Sequence, residues 1–113
     1  MVEKATVMFF HSPFCSHCGP AKKMVERVKK KRDDFELHQF NTNTDLGVKK
    51  ATEMKIVSTP TFIINGPGYH ENIGLKGSQS EEVLNKYIDI ALGIKKLEEP
   101  KSLLERLRSL VKN

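Results

Sequence analysis

Residues 5–28, ATVMFFHSPFCSHCGPAKKMVERV, carry two periodicities separated by a break. Ala5 to Phe10 is apolar or β-branched almost without interruption. Such a run suits a strand buried on both faces, as inside an α/β sheet. His11-Ser12-Pro13 interrupts it. Beyond Cys18, the apolar residues Ala21, Met24, Val25 and Val28 recur at i, i+3, i+4 and i+7, one face of a helix. Pro20 fits only the first turn of that helix, where its missing N–H is not needed. The helix is expected to start near Ser16 and to end in the charged stretch Lys29 to Asp34. Cys15-Ser16-His17-Cys18 then sits at the join, with Cys18 one turn inside the helix.

The rest of the chain extends this pattern. Phe35 to Phe40 reads as a second strand. Asn41 to Asp45 is polar and suited to turning the chain and capping a helix over roughly 45–54, with Val48, Ala51 and Met54 inward. Thr61 to Ile64 reads as a third strand, and Asn65-Gly66-Pro67-Gly68 as a turn. Tyr69 to Leu75 returns as an antiparallel partner. Ser78-Gln79-Ser80-Glu81 has the spacing of a capping box. Val83, Leu84, Tyr87, Ile88, Ala91 and Leu92 form one stripe of a helix that Gly93 ends. The order β-α-β-α-β-β-α predicts an α/β fold with a four-stranded mixed sheet. Alternation of the first three strands with helices favours parallel pairing among them. Residues 1–93 form this domain. Residues 94–113 read as an amphipathic helical extension, with Pro100 restarting a helix that bears Leu103, Leu104, Leu107, Leu110 and Val111.

Composition narrows the function classes. A chain of 113 residues is one domain by length and buries roughly two-thirds of its unfolded surface without disulfide staples. Val7 to Phe10 is the longest apolar run, too short to cross a bilayer. Glu3 and Lys4 precede it without a small-residue cleavage site, so no signal peptide is expected and the protein is expected in the cytoplasm. The net charge of +5 is concentrated. Residues 22–32 hold seven Lys or Arg against Glu26, and residues 94–113 hold six against three Glu, leaving the remainder net acidic. The run at 29–32 reads as a solvated helix end, where cations suit the helix dipole. With 7% aromatic residues and no Trp, little is available for stacking on single-stranded nucleic acid. Neither nucleic acid nor membrane is expected as a partner.

Chemistry concentrates in the cysteine pair. A helix N-terminus offers free N–H groups and positive potential, and both stabilise a thiolate at Cys15. A thiolate is the nucleophile that attacks a disulfide. Cys18, one turn along, is within reach to resolve the mixed disulfide and release the product. Electrons pass through the sulfurs, so no dissolved cofactor is required. The same residues allow a second reading, because His11, Cys15, His17 and Cys18 are ligand types for zinc. On that reading the protein is a non-catalytic redox-sensing or metal-binding adaptor that docks a partner through a groove and its basic tail. No metal is expected at the pair.

Ser58-Thr59-Pro60-Thr61 stands immediately before the third strand. Together, C-x-x-C after the first strand and x-Pro-Thr-Phe before the third make residues 4–93 resemble the thioredoxin superfamily. The resemblance implies a thioredoxin-like fold and a thiol–disulfide oxidoreductase acting on protein disulfides, recycled by a reductase or by glutathione. It implies that Cys15 attacks, that Cys18 resolves, and that Pro60 is cis and packs beside the disulfide. The backbone of Thr59 would pair with a substrate segment, as a strand added to a sheet edge. Phe14 and Ser16 would meet the substrate beside Cys15, Phe14 as packing on the groove wall.

The chain departs from ordinary thioredoxin. It is expected to lack the extra N-terminal strand and helix. Phe14, not Trp, precedes Cys15, and the spacer is Ser16-His17 rather than Gly-Pro. Phe9 stands where thioredoxins place a buried Asp that helps move the proton of the second cysteine, which leaves that task to water or a histidine. Gly74-Leu75-Lys76-Gly77-Ser78 does not match the glutathione-binding stretch of glutaredoxins. The nearest resemblance is to small microbial proteins that mix the two subfamilies. His17 would favour the Cys15 thiolate and make the couple more oxidising than a Gly-Pro spacer does. His11 reads as a strand-end or turn residue. A monomer is expected.

Overall fold

The computed structural model describes residues 4–95. β1 (Ala5–His11), α1 (Cys18–Lys31), β2 (Phe35–Asn41), α2 (Asp45–Glu53), β3 (Thr61–Gly66), β4 (Tyr69–Lys76) and α3 (Glu81–Leu92) follow in chain order. They form the four-stranded mixed sheet of a thioredoxin-like α/β fold, with strand order β2-β1-β3-β4. Among the described residues no helix is long and apolar enough to cross a membrane. Beyond Lys95, the expected C-terminal helical extension lies outside the described residues.

β1 is buried on both faces, as its unbroken apolar run predicts. Ala5, Val7 and Phe9 point to one side, where they pack with Met24, Val25 and Val28 of α1 and Leu84, Ile88 and Ala91 of α3. Met8 and Phe10 point to the other and pack with Ala51 of α2 and Ile63 of β3. One strand thus welds two cores, with a period of two deciding which residue serves which.

β1 pairs parallel with β2 but antiparallel with β3, against the expectation of parallel pairing for all three. A parallel pair requires a long crossover, but a helix between two strands does not oblige them to be parallel. β2 leaves the sheet at Asn41, level with His11, and β3 enters opposite Phe10, at that same end. The connection through α2 therefore returns the chain to the end it left. This end carries the cysteine pair.

α2 departs from its predicted inward face. Gly47 and Ala51 are buried, whereas Val48 is exposed. Gly47 sets the rotation: a Cβ there would lie 1.7 Å from the Asn41 carbonyl oxygen, so the helix seats directly on the end of β2. Thr44 fixes the same junction. Its Oγ1 donates to the Asn41 carbonyl and accepts from the Gly47 N–H, at 2.8 and 3.0 Å.

The cap of α3 is Ser80, not Ser78. Its Oγ accepts from the Val83 N–H at 3.1 Å, because the chain turns through Gly77, at φ +82°, before it becomes helical. Gly93 closes the helix in the left-handed conformation, as its position predicts.

The basic end of α1 does more than face solvent. Arg32 donates to both carboxylate oxygens of Asp34 at 2.8 and 2.9 Å, to Asp89 at 2.8 Å and to Asn85 at 3.0 Å. Arg27 and Lys31 share the Glu81 carboxylate, and Lys29 lies over the Phe35 ring while donating to its carbonyl. These bonds join the end of α1 to the start of β2 and to one side of α3. Hydrogen bonding from Arg32 holds the Asp34 carboxyl below its ordinary range, and the same bonds push the Arg32 guanidinium up.

Candidate functional site

Six residues, Ser12 to His17, turn the chain from β1 into α1. The Ser12 carbonyl accepts from the Cys15 N–H at 3.2 Å, and Ser12 Oγ accepts from the Phe14 N–H at 3.2 Å. The Cys15 carbonyl then accepts from the Cys18 N–H at 3.3 Å. This tight winding leaves the cysteine Cα atoms 5.4 Å apart, and their sulfurs form a disulfide. Cys15 is half-buried, whereas Cys18 is only 4% exposed. Cys18 is the first residue of α1, not one turn inside it, and His17 occupies the N-cap without a side-chain capping bond. In this first turn the Cys18 and Ala21 N–H groups bond to the Cys15 and His17 carbonyls and Pro20 has none, and no acidic side chain of the turn offsets the positive potential of the helix start beside the cysteine pair.

A groove runs beside the disulfide. Its charged or titratable lining comes from His11, Cys15, Cys18 and Lys22, with Ser16 and Asn41 also contributing. Among the described residues no Asp or Glu lines it. Burial and then the Lys22 charge hold the His11 imidazole below its ordinary range. Phe9, at the position the resemblance assigns to a buried Asp, is fully buried and stacked on Phe62 with ring centroids 4.9 Å apart.

A second groove meets the first at Ser12, which lines both. It is bounded by Val48, Ala51, Ile56, Val57, Ser58 and Thr59, among others. The Thr59–Pro60 peptide bond is cis and Pro60 is buried. This segment is clamped on both sides. The Pro60 carbonyl accepts from the Gly77 N–H at 2.8 Å, and Thr61 Oγ1 donates to the Ser58 carbonyl at 2.7 Å. Thr59 gives neither its N–H nor its C=O to another backbone group among the described residues.

The residues singled out by sequence fall into three sets. Cys15, Ser16 and Cys18 share one groove, and Thr59 lines the adjoining one. Pro60 lies buried at the end of β3. Phe14 and His17 are exposed and line neither groove. Phe14 is 85% exposed, so it faces solvent and is not the packed wall its type suggested. Sequence reasoning missed Val57, which is 83% exposed, and Val48 on the outer face of α2. An apolar residue three positions before Pro60 was the available signal for Val57. Val48 lost its signal to the Gly47 rotation.

The family-model comparison gives a match to the description Thioredoxin over residues 1–90. The chain belongs to the thioredoxin family. A thioredoxin from Methanocaldococcus jannaschii is 36% identical over 66 residues, which span 58% of this chain and 75% of that one. Among solved structures, Fasciola hepatica thioredoxin aligns with TM-score 0.67 and 19% identity, covering 78% of this chain and 81% of the other. Oxidised mitochondrial thioredoxin 3 of Saccharomyces cerevisiae aligns with TM-score 0.64 and 20% identity, covering 76% and 77%. These structures share the fold. With its C-x-x-C disulfide, this thioredoxin-family protein is a thiol–disulfide oxidoreductase. The family acts on protein disulfides and is recycled by a reductase.

Proposed function

We propose that the protein is a dithiol reductase of protein disulfides, with Cys15 as nucleophile and Cys18 as resolving thiol. The observation that carries this reading is the asymmetry of the pair. Cys15 is half-buried in the first groove, whereas Cys18, in the same groove, is 4% exposed at the start of α1. An incoming disulfide meets Cys15 first. Its thiolate attacks one substrate sulfur, a mixed disulfide forms and the first substrate thiolate leaves. Cys18 then attacks the Cys15 sulfur. The Cys15–Cys18 disulfide forms, and the second substrate thiol departs with a proton.

The substrate lies along the second groove as an added strand. The unpaired backbone groups of Thr59 receive it, and the exposed Val48, Val57 and Phe14 supply apolar contact. Ser16 flanks Cys15 within the first groove. His17, exposed at the N-cap, adds a donor beside the thiolate and raises the potential of the couple. A reductase or glutathione recycles the disulfide. The cytoplasm is the compartment that fits this work, because it keeps such thiols reduced.

Equilibration of the protein in thiol–disulfide buffers, followed by alkylation and mass counting, tests the couple. A reversible two-electron transition is expected. Reduced Cys18→Ser should accumulate a mixed disulfide with a disulfide-bonded protein target, and reduced Cys15→Ser should not. A trapped adduct on Cys18 in the Cys15→Ser variant, with none in Cys18→Ser, would reverse the assigned roles.

A further inference from the structure

The resolving step needs a proton removed from a thiol that water reaches poorly. Cys18 is only 4% exposed. The sheet beneath offers no base, because Phe9 is fully buried and stacked on Phe62. Among the described residues no carboxylate lines the groove. Its lining leaves two nitrogen groups, His11 from β1 and Lys22 from α1. Lys22 is a cation, suited to holding a thiolate and not to taking a proton from a thiol. His11 continues the β1 face that carries Ala5, Val7 and Phe9, the face covered by α1. Its ring stacks on Phe9 with centroids 5.3 Å apart and planes 28° from parallel. Its carbonyl is held by the N–H and hydroxyl of Thr42 at 2.8 and 3.1 Å. The backbone bonds anchor His11 and the stack orients its ring, in the groove that Cys18 also lines.

We infer that His11 accepts the Cys18 proton during resolution, directly or through one groove water. The inference rests on the proposed division of labour between Cys15 and Cys18. Neutral His11 takes the proton as Cys18 attacks the Cys15 sulfur. The Cys15–Cys18 bond forms, the mixed disulfide breaks, and the departing thiolate receives the proton from the imidazolium or from water. Burial and Lys22 keep the imidazole neutral while the cysteines are oxidised, so it is ready to accept. A thiolate at Cys18 reverses the local balance, because a nearby negative charge favours the imidazolium. The titratable and charged groups facing His11 in the groove are Lys22, Cys15 and Cys18.

A stopped-flow double jump tests this. The Cys15 mixed disulfide with nitrothiobenzoate is formed at acidic pH and jumped to neutral pH, and release of the aromatic thiolate is followed by absorbance. This leaving group needs no proton, so the rate reports the deprotonation and attack of Cys18. His11→Phe keeps the stack on Phe9 and removes the base. Its release should slow at least about tenfold at pH 7, lose its low-pH shoulder and recover with added imidazole. The initial attack by Cys15 should change by less than about twofold. Equal release rates and pH profiles for His11→Phe and wild type would overturn the inference, as would equal slowing of both steps. NMR titration of the wild-type His11 ring, oxidised against reduced, needs no variant. A higher pKa in the reduced protein is expected, and identical values would count against the inference. Failure of the wild-type mixed disulfide to release thiolate at any pH would overturn the Cys15–Cys18 reading itself.

Discussion

Replacing Arg32 by Met keeps most of the side-chain length and removes the guanidinium that holds the end of α1 to β2 and α3. Four hydrogen bonds vanish: two to Asp34 and one each to Asp89 and Asn85. A hydrogen bond to a charged group is worth about 1.5–3 kcal/mol when well buried. Arg32 is 17% exposed, but Asp34 and Asp89 are 31% and 24% exposed, so water takes back part of each contribution. The net loss should be about 2–3 kcal/mol at pH 7, equivalent to a fall in Tm of roughly 10 °C or more. The sign with pH is fixed by Asp34. Its carboxyl is depressed in the fold, first by the Arg32 hydrogen bond, so the pair contributes fully above the unfolded carboxylate range and fades as pH falls through the folded value. The gap between wild type and Arg32→Met should be constant above about pH 5 and narrow below about pH 4. Urea unfolding followed by circular dichroism at pH 7, 5 and 2.5 measures it. In the Arg32→Met background, Asp34→Asn should cost little, a coupling of about 1 kcal/mol or more. A gap under about 0.5 kcal/mol at pH 7, or one equally large at pH 2.5, would refute the account.

Other substitutions probe separate links. Gly47→Ala brings a Cβ to 1.7 Å from the Asn41 carbonyl oxygen, so α2 must lift from the end of β2. A loss of about 2 kcal/mol or more is expected, where a solvent-facing helical glycine would gain stability from the same change, and thermal melting distinguishes the two signs. Ser80→Ala removes the α3 cap and should cost about 1 kcal/mol, whereas Ser78→Ala should be near neutral; equal effects would place the cap wrongly. His17→Pro should lower the reduction potential, with about 30 mV corresponding to about 1.4 kcal/mol for the two-electron couple. An unchanged or higher potential would remove His17 from the tuning of the thiolate.

Much of this architecture is legible because it is local. The apolar run of Ala5–Phe10 and the spacing of Ala21, Met24, Val25 and Val28 fix β1 and α1, and with them the position of the cysteine pair. The turn at Gly66-Pro67-Gly68 and the left-handed Gly93 were equally plain. What escaped depends on contacts between distant residues. The direction of β3 is set by where α2 returns the chain, which neither the strand nor the helix encodes alone. The inward face of α2 is set by the end of β2 pressing on Gly47. The partners of Arg32 on α3 lie 53 and 57 residues away, beyond any periodic window, so the basic stretch reads as surface. At the site, the C-x-x-C pair is a sequence feature, but the company His11 keeps is not. It needs the parity of β1 and the placement of Lys22 together.

The unequal exposure of the two sulfurs has a kinetic side. With Cys18 only 4% exposed at the helix start, the proposed roles make Cys15 the port through which electrons enter and leave. The donor that reloads the protein and the target that empties it must therefore take turns at one landing place. Turnover is a shuttle of two alternating strokes, and an excess of either visitor obstructs the other. Initial-rate plots at several donor concentrations should run parallel. Traffic through the protein is then governed as much by how fast each visitor departs as by how tightly it docks.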